Sequence, residues 1–221
     1  MISTYYTKIS ANFHNKIIEN TLSKFPMNYQ NKILKYRRWQ DAQSSIVGRL
    51  LLLHGIRQLD NSILFNDFLV KYTEYNKPYL ECSPIKFNIS HSNEIVVCSI
   101  TCKEDIGIDI EKIKPIKIHD FKEKMTKLEW EYVIKSKNTQ TAFYHYWTKK
   151  EALVKANGKG LSIPLDSFET IKSEVTIENS LYFVKELKIH NNYKCHLAIK
   201  KILNSGGIKS SIERIKIQDL I

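Results

Sequence analysis

Cysteine is scarce in this 221-residue chain, and the four present are Cys82, Cys98, Cys102 and Cys195. None forms a C-x-x-C pair, and the close spacing of Cys98 and Cys102 has no histidine or cysteine motif beside it. Reduced structural thiols are therefore expected rather than a disulfide framework or a zinc site. Long apolar runs are missing too. The longest, LLLL at 50–53, falls far short of the roughly 20 residues that span a bilayer. The opening stretch MISTYYTKISANFHNKII has neither the apolar core nor the small-residue cleavage site of a secretory signal. A soluble, cytoplasmic protein with no membrane partner is expected. No low-complexity linker divides the chain, and no internal repeat stands out. Acidic residues are outnumbered, 23 against 34 Lys and Arg, giving a formal net charge of +11. A field of that sign draws anionic partners, whether nucleic acid, membrane surface, phosphorylated cofactor or acidic protein, without choosing among them.

What the chain does have is core-forming material. Hydrophobic residues make up 43%, with 12 Tyr, 9 Phe and 3 Trp, which excludes a disordered tail and supplies one large domain or two small ones. The first forty residues show no strong period. DAQSSIVGRLLLLHGIRQL has a helical one, with Ile46, Leu50, Leu53 and Ile56 on one stripe. Asn76–Leu80 (NKPYL) reads as a turn around Pro78. IKFNIS (85–90) and EIVVCSI (94–100) read as strands joined by the turn HSN. DIGIDIE (105–111) reads as a third strand, its isoleucines on one face and Gly107, Asp109 and Glu111 on the other. Helical patterns follow over 118–136 and 139–156, the second stopped by Asn157-Gly158. From Leu161 onward short alternating runs predict antiparallel strands. The fold class expected is α+β in two packed lobes, 1–103 and 104–221.

The stretch WTKKEALVK carries the chemistry. On a helix, Trp147, Glu151 and Lys155 share one stripe, where an ordinary amphipathic helix would place Leu or Val. Asp109 and Glu111, two apart on a strand, emerge on one face. Close carboxylates repel unless a cation lies between them, and oxygen-only donors suit a hard ion such as magnesium. Gly107 is expected to leave room there for a ligand. Taken alone, the D-x-E pair reads as solvated surface ahead of a metal site, and Glu151–Lys155 as an ordinary i,i+4 pair worth about 0.2–0.5 kcal/mol. Lys155 would either neutralise a phosphate or hold a carboxylate in place. His91 and Ser90, where a strand turns, are reasonable phosphate ligands beside a diphosphate. Lys32, Lys35, Arg37 and Arg38 form a basic run that could grip a further phosphate.

Together, NKPYL, FNISHS, IGIDIEKIKPI and FYHYWTKKEALVKANGKGLSIPLDSF resemble the 4′-phosphopantetheinyl transferases of the large, surfactin-synthetase-activating type. That family's signature is G-[IV]-D, then after some forty residues [FW]-[SCT]-x-K-E-[AS]-h-h-K, with h hydrophobic. Gly107-Ile108-Asp109 and Trp147 to Lys155 fit every defined position, and the resemblance runs from about Lys32 to Phe168. It implies two similar α/β lobes in pseudo-twofold arrangement, a monomer, with coenzyme A in the cleft between them. The implied reaction moves phosphopantetheine from coenzyme A to a serine of an apo acyl or peptidyl carrier protein and releases adenosine 3′,5′-bisphosphate. Asp109, Glu111 and Glu151 match the magnesium ligands, Lys155 the lysine on the pyrophosphate side, and His91 the phosphate-binding histidine. Ser90, Lys77 and Pro78 match segments lining the adenine and 3′-phosphate pocket, and Lys32, Lys35 and Ser45 match 3′-phosphate contacts. Glu151 is the matching base for the serine proton, directly or through a metal-bound water.

Carrier proteins are typically acidic. The segment 112–127 carries six Lys against two acids, and would steer such a partner while Ile116, Phe121 and Met125 offer apolar contact. Two rivals fit less well. A metal-dependent nuclease often sets its Glu and Lys two apart on a strand, whereas here they are four apart on a helix. A nucleic-acid-binding module explains the charge but not GIDIE, and neither a zinc-finger spacing nor an RNP-like aromatic motif is present.

Overall fold

The computed structural model describes residues 1–59, 70–201 and 209–221. The chain divides into two units, one of Met1–Thr73, Pro78–Lys103 and Ile208–Ile221, the other of Glu74–Lys77 and Glu104–Gly207.

In the first unit a four-stranded sheet has the order β10-β1-β5-β4, where β1 is Ile2–Lys8, β4 Lys86–Ser92, β5 Ile95–Thr101 and β10 Ser210–Arg214. The long helix α3 (Trp39–Leu59) packs on it. Its stripe is wider than the sequence period suggests: Ile46, Val47, Leu50, Leu51, Leu52 and Ile56 are all buried, while Leu53 is only half-buried. Helices α1 (His14–Thr21) and α2 (Met27–Leu34) lie in the segment where no period is visible. Strand β1 escapes notice because Ser3, Thr4 and Thr7 are buried along with its apolar side chains, and Thr4 shares a 2.8 Å hydroxyl bond with Ser99 of β5. A short hairpin of β2 (Val70–Tyr72) and β3 (Pro78–Leu80) follows.

Two corrections arise here. The β4–β5 turn is shorter than HSN. His91 and Ser92 pair with Val96 and Ile95, and the reversal falls on Asn93, at φ 54°, a left-handed value that asparagine tolerates. The last residues do not join the second lobe either. Backbone pairing of Ile2–Tyr6 with Ser210–Arg214 attaches β10 to β1, and that pairing is parallel where antiparallel strands were expected.

In the second unit β6 (Ile106–Lys112) lies at the edge of a sheet ordered β6-β9-β8-β7, with β7 Glu174–Ile177, β8 Ser180–Glu186 and β9 Tyr193–Lys200. Helix α5 (Thr139–Asn157) packs across β6 and β9 and ends on Gly158 at φ 93°, the left-handed cap its sequence announces. Both units thus repeat strand, long helix and hairpin: β1-α3-β4-β5 and β6-α5-β8-β9. This is the two-lobed α/β architecture expected. The helical pattern at 118–136 resolves into a 3-10 helix at Ile118–Lys124 and α4 (Lys127–Lys135). The break is fixed by Thr126, whose hydroxyl and Glu129 form a reciprocal capping box.

That same Glu129 is fully buried with Lys150 of α5, 2.8 Å away. Its carboxylate accepts from the Thr126 and Thr170 amides and the Thr170 hydroxyl, while the Lys150 ammonium also donates to the Leu165 and Phe168 carbonyls. Every charge in the cluster is partnered, which is the condition for burying it. Lys150→Met removes the ammonium and leaves Glu129 buried and uncompensated. Urea unfolding should then show a loss of about 3–5 kcal/mol; a loss within experimental error would mean the pair is not closed to water.

Candidate active site

Alternation along β6 sends Ile106, Ile108 and Ile110 to one side, all essentially inaccessible, and Gly107, Asp109 and Glu111 to the other. On that second side lies α5. A Cβ on Gly107 would collide with the Ala152 carbonyl oxygen and the Ala156 amide, and would sit 2.8 Å from the Lys155 carbonyl carbon. The room expected for a ligand at Gly107 is therefore filled by helix backbone. Ala152 and Ala156, both fully buried, complete the close approach from the helix side. Gly at one end of the signature and a small residue at the other are two halves of one contact.

Because strand and helix touch at Gly107, the side chains one and two steps further along meet. Lys155 Nζ lies 2.6 Å from Asp109 Oδ1. Asp109 is 4% exposed, whereas Lys155, Glu151 and Glu111 are partly open. Burial, then the negative charges of Asp109 and Glu111, push the Glu151 carboxyl above the ordinary range, with Lys155 pulling the other way. Burial pulls the Lys155 ammonium down, but Asp109, Glu151 and Glu111 outweigh it and raise it. Of its two expected roles, Lys155 here takes that of holding a carboxylate. Trp147, a turn earlier on the same stripe, stacks on Phe143 at 5.8 Å and meets Phe121 edge-on at 5.3 Å.

The rest of the signature is scaffolding that sequence reasoning leaves without a role. Lys149 donates to the Thr170 carbonyl at 2.6 Å, and Lys150 holds the 165–168 carbonyls, so two lysines of one motif pin the segment after α5. Thr148, in the small-polar slot, is fully buried; its hydroxyl donates to the Tyr144 carbonyl and contacts His196 Nδ1, both at 2.7 Å. Lys77 donates to the Ala156 carbonyl at 2.9 Å, at the negative end of the α5 dipole.

The structure thus brings Asp109, Glu111, Glu151 and Lys155 together, with Lys77 at the end of the same helix. The other expected residues belong to the first unit. Lys32 and Lys35 are exposed at the end of α2, and Ser45 of α3 shares a 2.8 Å hydroxyl bond with Tyr29. Pro78 opens β3. Ser90 and His91 are consecutive in β4 and so leave on opposite faces, Ser90 buried and His91 exposed. Of the apolar residues expected to greet a partner, Met125 is instead buried against Trp130 and Phe143, while Ile116 and Phe121 are partly buried in the same cluster. Lys114, Lys117, Lys122, Lys124 and Lys127 are exposed. All four cysteines are free. Among the described residues no helix is long and apolar enough to cross a membrane.

Residues 105–200 match the model of the 4′-phosphopantetheinyl transferase superfamily, and residues 14–103 that of the 4′-phosphopantetheinyl transferase N-terminal region. The chain is 30% identical over 228 residues to the 4′-phosphopantetheinyl transferase gsp of Aneurinibacillus migulanus, covering 100% of this chain and 94% of the relative. It belongs to the 4′-phosphopantetheinyl transferase superfamily. Within that superfamily the likeness is to the surfactin-synthetase-activating type: the transferase Sfp of Bacillus subtilis is 35% identical over 178 residues, 75% of this chain and 77% of the relative. A more distant relative is the human L-aminoadipate-semialdehyde dehydrogenase-phosphopantetheinyl transferase, 30% identical over 63% of this chain and 50% of its own length. In this phosphopantetheinyl transferase the signature divides between charges that meet, Asp109, Glu151 and Lys155, and residues that assemble the fold, Gly107, Thr148, Lys150 and Ala152.

Two outcomes follow from this geometry. Gly107→Ala should destabilise the protein by at least about 1–3 kcal/mol in thermal or urea unfolding, because helix backbone cannot step aside; an unchanged midpoint would contradict the close approach. Without divalent ions, Glu151→Gln should stabilise the protein at neutral pH. A carboxyl whose folded pKa is raised binds its proton more tightly folded than unfolded, so wild-type stability falls as pH rises through that range. The difference between variant and wild type should be present at pH 7 and vanish below about pH 4.

Proposed function

We propose that this phosphopantetheinyl transferase moves 4′-phosphopantetheine from coenzyme A to a serine hydroxyl of an apo acyl or peptidyl carrier protein, with magnesium, and releases adenosine 3′,5′-bisphosphate. The observation that carries the reading is the convergence of Asp109, Glu111, Glu151 and Lys155 on one strand–helix contact. Three carboxylates against one ammonium leave two formal negative charges, the complement of a dication. The donors are all oxygens, which suits a hard ion such as magnesium. When bound, the ion would supply neutralisation of charge developing on the diphosphate oxygens.

The protein's own groups do the rest. The serine oxygen attacks the β-phosphorus of coenzyme A, its bond forms as the bond to the bridging oxygen of the nucleotide breaks, and the bisphosphate departs with that electron pair. Glu151 takes the serine proton, directly or through a water. Lys155 fixes Asp109 and presents positive charge on the pyrophosphate side. His91, Ser90, Lys32, Lys35, Ser45, Lys77 and Pro78 are proposed as coenzyme A contacts on their match to the family pattern. The exposed lysines of 114–127 would attract an acidic carrier protein, with the enzyme acting as a cytoplasmic monomer and without nucleic acid.

The protein incubated with coenzyme A, magnesium and an apo carrier protein should increase the carrier's mass by one phosphopantetheine, and Glu151→Gln should lose at least about 100-fold in rate while remaining folded. No gain with several acyl and peptidyl carriers, or near-normal turnover in Glu151→Gln, would overturn the assignment.

A further inference from the structure

On the same sheet face as the carboxylate site lies a second group of metal-competent side chains. His196 of β9 stands across from Asp109 on one side and Glu186 of β8 on the other. His145, three residues before Thr148 on α5, closes the group from above. One ligand atom from each of His145, Glu186 and His196 lies within 4.8 Å of the others.

The tautomer of His196 can be deduced. The Thr148 hydroxyl spends its hydrogen on the Tyr144 carbonyl at 2.7 Å, so at His196 Nδ1, also 2.7 Å away, it accepts. Nδ1 therefore carries the ring hydrogen and Nε2 carries a lone pair. His196 is fully buried, and its Nε2 has no hydrogen-bond partner among the described residues. A buried, unsatisfied acceptor is costly, and an imidazole held by an Nδ1 hydrogen bond with Nε2 open is the arrangement of a metal-ligating histidine.

Its neighbours fit the same role. Lys194 takes Glu186 Oε1 at 2.6 Å, leaving Oε2 on the side of His145, 3.7 Å from Nδ1. Burial holds the His145 imidazole down to about 4, assisted by Lys149, and burial with His145 and the nearby lysines holds His196 well below the ordinary histidine value. Both rings are neutral at physiological pH, the ligating form.

We propose that His145, Glu186 and His196 form a second divalent-cation site, selective for a zinc-like transition ion over magnesium. Two imidazoles and one carboxylate are the donor set of such ions. Ligands at about 2.0–2.2 Å from a tetrahedral ion stand about 3.3–3.6 Å apart, so the cluster must contract. His145 and Glu186, about a third exposed, can move, while His196 is the fixed point. A groove lined by Tyr132, Lys135, Asn138, Tyr146 and Lys194 reaches His145 from solvent and provides the entry path and the fourth, water-filled position.

Cobalt(II) is the probe. The chelator-treated full-length protein, titrated with cobalt in excess magnesium, should bind one equivalent with the visible absorption of a four-coordinate nitrogen–oxygen centre. Thiolate charge-transfer absorption, which would betray the exposed Cys82 or Cys102, should be absent. His145→Ala and Glu186→Gln should each weaken binding at least about 10-fold, as should Thr148→Val, with Thr148→Ser restoring it. Glu151→Gln should bind cobalt as wild type does. Octahedral, thiolate-type or no cobalt absorption in wild type, or an undiminished signal in both His145→Ala and Glu186→Gln, would overturn the proposal. So would loss of the signal in Glu151→Gln, which would place the ion among the acidic residues instead.

Discussion

A strand backbone lying against a helix backbone, with no side chain between them, is the constraint on which this site depends. Gly107 permits it from β6, and Ala152 and Ala156 permit it from α5. At ordinary strand–helix spacing, set by intervening side chains, Lys155 would not close to 2.6 Å on Asp109, nor would Glu151 feel the charges of Asp109 and Glu111 strongly enough to shift its carboxyl. The cluster of negative charge thus lies where packing leaves least slack, and closely packed interiors transmit small displacements.

The buried lysines serve the same end by another means. An ammonium ion with no access to water is tolerable only when each of its hydrogens has an acceptor. Lys150 meets that demand with Glu129 and two carbonyls, while Lys149, slightly exposed, donates to the Thr170 carbonyl. These bonds fix the rotation of α5 about its own axis. A helix rotated by one residue, about 100°, would remove lysines from carbonyls and Glu151 from the carboxylates together. Along the motif, the charges that gather at Asp109 and the charges that anchor the helix are thus set by one rotation.

The site was more legible in the sequence than the fold around it. Asp109 and Glu111 announced themselves through strict alternation, and Glu151 and Lys155 through a stripe too polar for an ordinary amphipathic helix. The role of Gly107 was misread, because a missing side chain looks the same in sequence whether a ligand or a backbone fills its place. Buried Lys150 and Glu129 gave no signal: each resembles a surface residue until a partner from a distant segment is known. Strand β1 was hidden because its sheet buries hydroxyl residues as well as apolar ones, and β10 because a sequence period cannot show which strand another will join. His91 and Ser92, read as a turn, prove to be strand, so that Ser90 and His91, consecutive in β4, leave on opposite faces.

The parallel pairing of β10 with β1 bears on the order in which the molecule comes into being. On the ribosome, Glu104–Lys200 supplies every strand of its own sheet before β10 emerges, so that lobe can close first. Strand β1, although made long before β10, keeps one backbone edge unsatisfied until residues 210–214 are released. During that interval the nascent chain presents a strand edge to any passing partner, the circumstance in which edge pairing leads to aggregation. Synthesis, then, leaves β1 waiting for a strand made some two hundred residues later.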